Sequence, residues 1–229
     1  MLNAWLLLST CLMVINWAAI WQRNRRLDIL TKSLPILMLA IWLADTTQLS
    51  GSAFWFFIGL FTSAAGDLLI LFPRFFIWGL AAFFAVHCSF LVGFNNLFPV
   101  ASVSGYVVLM LFASVWVYLF SLIRAGIMRQ PGQRKMIRPV AAYSLVLSLM
   151  AYSACSTFFQ SYWPSTAAAL VSSGALLFMF SDFLLAFNRF VQPLASALIW
   201  KRVTYQLGQF AIAAGVVLVF SESTGLIQG

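Results

Sequence analysis

An all-α membrane bundle of eight transmembrane helices is the fold this sequence predicts, on three observations. Hydrophobic residues make up 63% of the chain and charged residues only 8%, against roughly 25% charged residues in a soluble domain. The apolar residues fall into eight runs, each near the ~20 residues that cross a bilayer as a helix. The 13 Lys and Arg residues fall only in alternate connections, the bias that marks the cytoplasmic side of membrane proteins. Eight such spans fill residues 1–229 as a single transmembrane domain and leave no room for a separate soluble one.

The first run, 2–21, lacks the basic leader and small-residue cleavage site of a signal peptide, so it is expected to remain as a helix. A polar connection, 22–31, leads to the second run, 33–49, whose Asp45, Thr46 and Thr47 are expected at the interface. Ser50-Gly51-Ser52 breaks the chain before the third run, 53–72, and Pro73-Arg74 before the fourth, 75–94. The fifth, 103–123, follows the connection 95–102, and the sixth, 139–159, follows the basic stretch 124–138. Residues 160–165 lead into the seventh, 166–187, and residues 188–202 into the eighth, 203–220.

Counting charges tests this division. Arg23, Arg25, Arg26 and Lys32 lie between runs one and two, and Arg74 between three and four. Arg124, Arg129, Arg134, Lys135 and Arg138 lie between five and six, and Arg189, Lys201 and Arg202 between seven and eight. All are on one side only if the helix count is even, with both termini outside the cytoplasm. A bacterial inner membrane is the expected location. The net charge of +8 is thus accounted for by topology, and no nucleic acid partner is expected. Cys11, Cys88 and Cys155 stand singly within apolar runs, with neither disulfide nor metal spacing. No HExxH, Walker or glycine-rich dinucleotide motif is present, so no metal and no cofactor is expected.

Two aspartates inside the apolar runs are the candidate catalytic residues. Asp67 opens Asp-Leu-Leu-Ile-Leu-Phe-Pro-Arg-Phe and Asp182 opens Asp-Phe-Leu-Leu-Ala-Phe-Asn-Arg-Phe. A carboxylate within the hydrocarbon costs several kcal/mol, which marks it as functional. Seven residues of helix separate each from its arginine, roughly 10 Å, so both are predicted at one depth near the cytoplasmic face. Arg74 and Arg189 are expected to reach lipid phosphates. The matched stretches, four runs apart, predict a parallel four-plus-four internal repeat, with Phe83 and His87 in run four answering Tyr205 and Gln209 in run eight. Two carboxyl groups in one low-dielectric site favour one protonated and one ionised member, an acid beside a base. His87, the chain's one histidine, is a candidate hydrogen-bond partner or proton shuttle. With Tyr205, Gln209, Ser63, Lys32 and Tyr143 it makes up the candidate substrate-binding set. The 23 phenylalanines suit either a packed core or an acyl-chain tunnel.

These residues carry a family resemblance. Lys32-Ser-Leu-Pro35, Gly59 through Asp67, Gly79 with Phe83 and His87, Tyr143 through Met150, Gly174 through Ala186, and Tyr205 with Gln209 resemble the YhhN-type lysoplasmalogenase family of polytopic membrane proteins. A Cys-Ser pair follows His87, and Phe90 stands where the family often has a tyrosine. The resemblance implies hydrolysis of the vinyl ether bond of choline or ethanolamine lysoplasmalogens, giving a fatty aldehyde and glycerophosphocholine or glycerophosphoethanolamine. It also implies a lysophospholipid substrate drawn from the surrounding membrane lipids. An aspartate pair suits that chemistry, because a carboxylic acid can protonate the vinyl carbon and a carboxylate can stabilise the resulting cation and guide water. Basic loops at the cytoplasmic face would attract the substrate's phosphate. The rival from another class is a proton-coupled transporter or carrier of a lipid-like amphiphile, with the same acids as a proton relay. Runs three and seven lack the mid-span breaks such transporters favour.

Overall fold

A computed structural model describes residues 3–95 and 103–225, apart from the side chains of Pro73 and 221–225. The expected connection at 95–102 therefore lies largely outside the described residues. Those that are described form helices α1 (Ala4–Trp21), α2 (Arg25–Thr31), α3 (Leu34–Thr47), α4 (Ala53–Ile70), α5 (Phe76–Phe94), α6 (Val103–Arg129), α7 (Ile137–Ser156), α8 (Ser165–Phe190) and α9 (Ala197–Gly225). Eight helical stretches are long and apolar enough to cross a membrane, α2 and α3 counting as one. This is the predicted all-α architecture with the predicted number of spans.

The differences lie in the segments read as connections. Residues 25–31 form a short helix, α2, because the Asn24 side chain accepts the Leu27 amide at 3.2 Å and caps its first turn. Helix α9 begins six residues before the expected start, and this brings Lys201 and Arg202 into the helix instead of a loop. A hydropathy criterion ends a span at its first charges, whereas backbone hydrogen bonding continues until the chain can no longer cap it.

Packing places α9 at the centre and α6 at the edge: 61% of the residues in the most apolar stretch of α9 are buried, against 11% in α6. Helix α4 packs chiefly on α5, and α8 on α9. The α8–α9 crossing depends on two glycines. A Cβ on Gly174 would stand 2.7 Å from the Gly208 carbonyl oxygen, and one on Gly208 would stand 2.7 Å from the Gly174 oxygen. Small residues permit such backbone approach between membrane helices, where van der Waals contact replaces hydrophobic driving force. Between the pairs, Phe83 of α5 meets Phe178 of α8 and Tyr205 of α9 edge-on, with centroids 6.2 and 5.8 Å apart. This aromatic cluster, on helices that converge near the basic connections, forms one wall of the polar site.

Candidate active site

Asp67 lies in the last turns of α4 and is 4% exposed. Its partner is Lys32, which caps the end of α2 just before α3 begins. The Lys32 ammonium is 3.5 Å from Asp67 Oδ1 and donates to the Asp67 backbone oxygen at 2.6 Å. Lys32 was expected in a basic loop, yet it is 5% exposed; its long side chain reaches from the helix junction into the bundle. Among the described residues, Asp67 Oδ2 has no hydrogen-bond partner. The buried Tyr205 hydroxyl faces this carboxyl electrostatically but likewise makes no formed hydrogen bond.

Asp182, in the interior of α8, has different company. The Tyr143 hydroxyl of α7 donates a short hydrogen bond to Asp182 Oδ2, and His87 Nε2 of α5 is 3.3 Å from the same oxygen and 3.1 Å from the Tyr143 hydroxyl. Three helices thus meet in a buried triangle of carboxyl, phenol and imidazole. His87 is fully buried, held at its ring by Phe178 with centroids 4.9 Å apart. Its Nδ1 has no hydrogen-bond partner among the described residues.

Both aspartates line one cleft, which is partly open to the outside. Of the expected residues, Asp67, Asp182, Lys32, Tyr143 and Tyr205 line it. His87 stands behind Asp182 and Tyr143 as their hydrogen-bond partner. Ser63 and Gln209 are bonded to each other, Gln209 Nε2 donating to Ser63 Oγ at 2.8 Å, one turn from Asp67 on α4 and from Tyr205 on α9. They support the wall and are not among the residues that line the cleft. Among the described residues there is no group of three or more His, Cys, Asp or Glu that could hold a metal ion.

Sequence reasoning missed Lys201 and Arg202, which complete the cavity with Ser181. Lys201 stands four residues before Tyr205 and Arg202 three before it, so both share that residue's helical face. Continuing the period of Tyr205 and Gln209 one turn back would have found them. The arginines expected to reach lipid phosphate are exposed and lie over rings: the Arg189 guanidinium is 3.6 Å from the Phe76 ring centroid and that of Arg74 is 4.7 Å from Phe75.

A second, apolar groove runs between α6, α7 and α8. It shares Phe76, Leu80, Tyr143, Asp182 and Leu185 with the polar cavity and continues past Leu119, Phe120 and Leu147. The combined space has a charged end and a hydrocarbon end, and Asp182 stands at their junction. That order of linings, charged and then apolar, matches the polarity of a single-chain amphiphile.

The YhhN family model matches residues 27–216. Lysoplasmalogenase TMEM86B of Mus musculus is 31% identical over 207 residues, 90% of this chain and 82% of that protein. The Rattus norvegicus protein of the same name is 32% identical over 184 residues, 80% of this chain and 70% of its own. The Homo sapiens protein is 32% identical over 191 residues, 80% of this chain and 72% of its own. No solved structure gives a significant match. With the family model covering the span from α2 to α9, including both aspartates and their partners, this chain belongs to the YhhN family.

Proposed function

We propose that this chain is a membrane-embedded hydrolase that cleaves the vinyl ether bond of lysoplasmalogens, with Asp67 and Asp182 as its acid–base pair. The observation that carries this reading is that the two aspartates line one cavity with unlike partners, Asp67 beside an ammonium and Asp182 beside a phenol and an imidazole. The relatives named lysoplasmalogenases support the reaction class. Asp182, whose partners can pass a proton, is assigned the acid. Asp67, beside the Lys32 cation, is assigned the carboxylate that faces the developing positive charge.

The steps balance without an additional reagent. Asp182 gives its proton to the vinyl carbon remote from the ether oxygen, and the double-bond electrons form that C–H bond, leaving an oxocarbenium ion. Water adds to the cationic carbon and loses a proton to a carboxylate, giving a hemiacetal. Transfer of the hemiacetal hydroxyl proton and cleavage of the carbon–oxygen bond to glycerol release the fatty aldehyde and the glycerophospho-alcohol. Tyr143 and His87 orient Asp182 and return a proton to it for the next turnover. The hydrocarbon chain occupies the groove beside Leu119, Phe120 and Leu147. The basic connections face the cytoplasm, by the positive-inside rule, and both termini lie on the opposite side.

Purified protein in detergent, given lysoplasmenylcholine, is expected to release aldehyde, and Asp67→Asn and Asp182→Asn are each expected to lower the rate by about 10²–10⁴, the range of acid–base catalysis. Full activity in either variant overturns that aspartate's role. Uptake into proteoliposomes without aldehyde formation overturns the hydrolase reading in favour of a carrier.

A further inference from the structure

The end of the cavity beyond Asp67 holds more cation than the reaction uses. Lys32, Lys201 and Arg202 line the cleft with Asp67 and Asp182, and Asp28 stands beside Arg202, so the group keeps a net positive charge when Asp182 holds the proton assigned to it above. Arg202 is 4% exposed. Its Nη2 is 3.5 Å from Asp28 Oδ1 of α2, but its Nη1 has no partner among the described residues. A buried guanidinium nitrogen without an acceptor is costly, and a ligand oxygen would relieve that cost.

The arginine is also held in place from behind. Asn16 Nδ2 of α1 donates to Asp28 Oδ1 at 3.0 Å and to Thr31 Oγ1 at 2.9 Å, while its own Oδ1 accepts from Gln206 Nε2 at 3.3 Å. Gln206 accepts in turn from Trp17 Nε1 at 2.6 Å. This network joins α1, α2 and α9 around one side of the guanidinium and leaves the other side to the cavity.

We propose that Arg202, with Lys201 and Lys32, forms a receptor for a singly charged phosphate diester, and that Asp28 and Asn16 are its positioning residues. A guanidinium fork with two ammonium groups suits a tetrahedral oxyanion that spreads charge over several oxygens. With Asp182 holding its proton, one negative charge neutralises the excess of three cations over the Asp28 and Asp67 carboxylates. Identifying this ligand as the headgroup phosphate of a lysophospholipid rests on the function proposed above. With the phosphate beside Lys32, the glycerol oxygen of the substrate lies next to Asp67, the partner of that lysine. The receptor therefore sets which end of the lipid enters, and it distinguishes lysophospholipids from neutral ether or ester glycerides.

The test is a binding measurement that needs no turnover. The full chain in neutral detergent is titrated with lysophosphatidylcholine, which has the phosphate but no vinyl ether, and with the monoacylglycerol of the same chain length, which has no phosphate. The wild type is expected to bind the phospholipid at least tenfold more tightly. Lys201→Gln and Arg202→Gln are expected to remove most of that preference, and the exposed Lys135→Gln to leave it intact. Asp28→Asn is expected to weaken phospholipid binding while monoacylglycerol binding is retained; loss of both equally would mark Asp28 as merely structural and overturn its positioning role. Equal binding of the two lipids by the wild type overturns the receptor, as does an unchanged preference in Lys201→Gln, whose folding does not depend on the buried arginine. Competition by glycerophosphocholine supports a diester headgroup, whereas competition by inorganic phosphate alone overturns it. Because lysophosphatidylcholine is not cleaved, a chain that releases no aldehyde can still pass this test, and the two proposals fail separately.

Discussion

Asp67 and Asp182 begin nearly the same nine-residue stretch, yet they sit in environments of different kind. Around Asp67 the chemistry is ionic: a buried lysine at 3.5 Å, a free carboxylate oxygen, and an arginine and a second lysine farther along the cavity wall. Around Asp182 it is side-chain hydrogen bonding, with a phenol and an imidazole converging on one oxygen. A carboxyl group takes its role from what surrounds it, so a repeated motif need not imply a repeated function. The ionic side suits holding a charge, and the hydrogen-bonded side suits moving a proton.

The most severe way to break this contrast is to remove the cation. Lys32→Met leaves the Asp67 carboxylate buried without its partner, and a loss of about 3–5 kcal/mol of stability is expected, read as a lower unfolding temperature in detergent. Lys32→Met combined with Asp67→Asn should recover much of that loss, and failure to recover would show that the two residues are not coupled. On the other side, Tyr143→Phe removes a hydroxyl shared by Asp182 and His87. The expected stability change is smaller, about 1–3 kcal/mol, with a fall in the aldehyde-release rate of roughly 10–100-fold if that hydroxyl orients the acid. A rate unchanged by Tyr143→Phe would separate Tyr143 from the proton path. Ser63→Ala touches the supporting wall alone; it leaves Gln209 Nε2 without its acceptor and is expected to cost about 1–2 kcal/mol with little change in rate.

Much of this arrangement was legible in the sequence, for physical reasons. The eight spans follow from the bilayer's thickness, which any apolar run must match, and the aspartates stand out because an acid in hydrocarbon is costly. Tyr143 could be singled out as a polar residue in an apolar helix, but its contact with Asp182 depends on how α7 turns its face toward α8, which hydropathy does not encode. Lys201 and Arg202 were hidden by the opposite error. Their charges marked them as loop, although a helix whose inner end faces a polar cavity can carry charge within its own turns. Asp28 and Asn16 were missed because their importance appears only once α2 exists and closes against α1 and α9.

The apolar groove leading from Asp182 past Leu119 and Phe120 has a kinetic consequence. A substrate that keeps its chain in hydrocarbon throughout is presented as a fraction of the lipid around the protein, so the rate will follow mole fraction in the bilayer or micelle instead of bulk concentration. On the proposed function, added detergent will act as a diluent in two dimensions, and lysolipids that share the chain but lack the reactive bond will compete for the same groove.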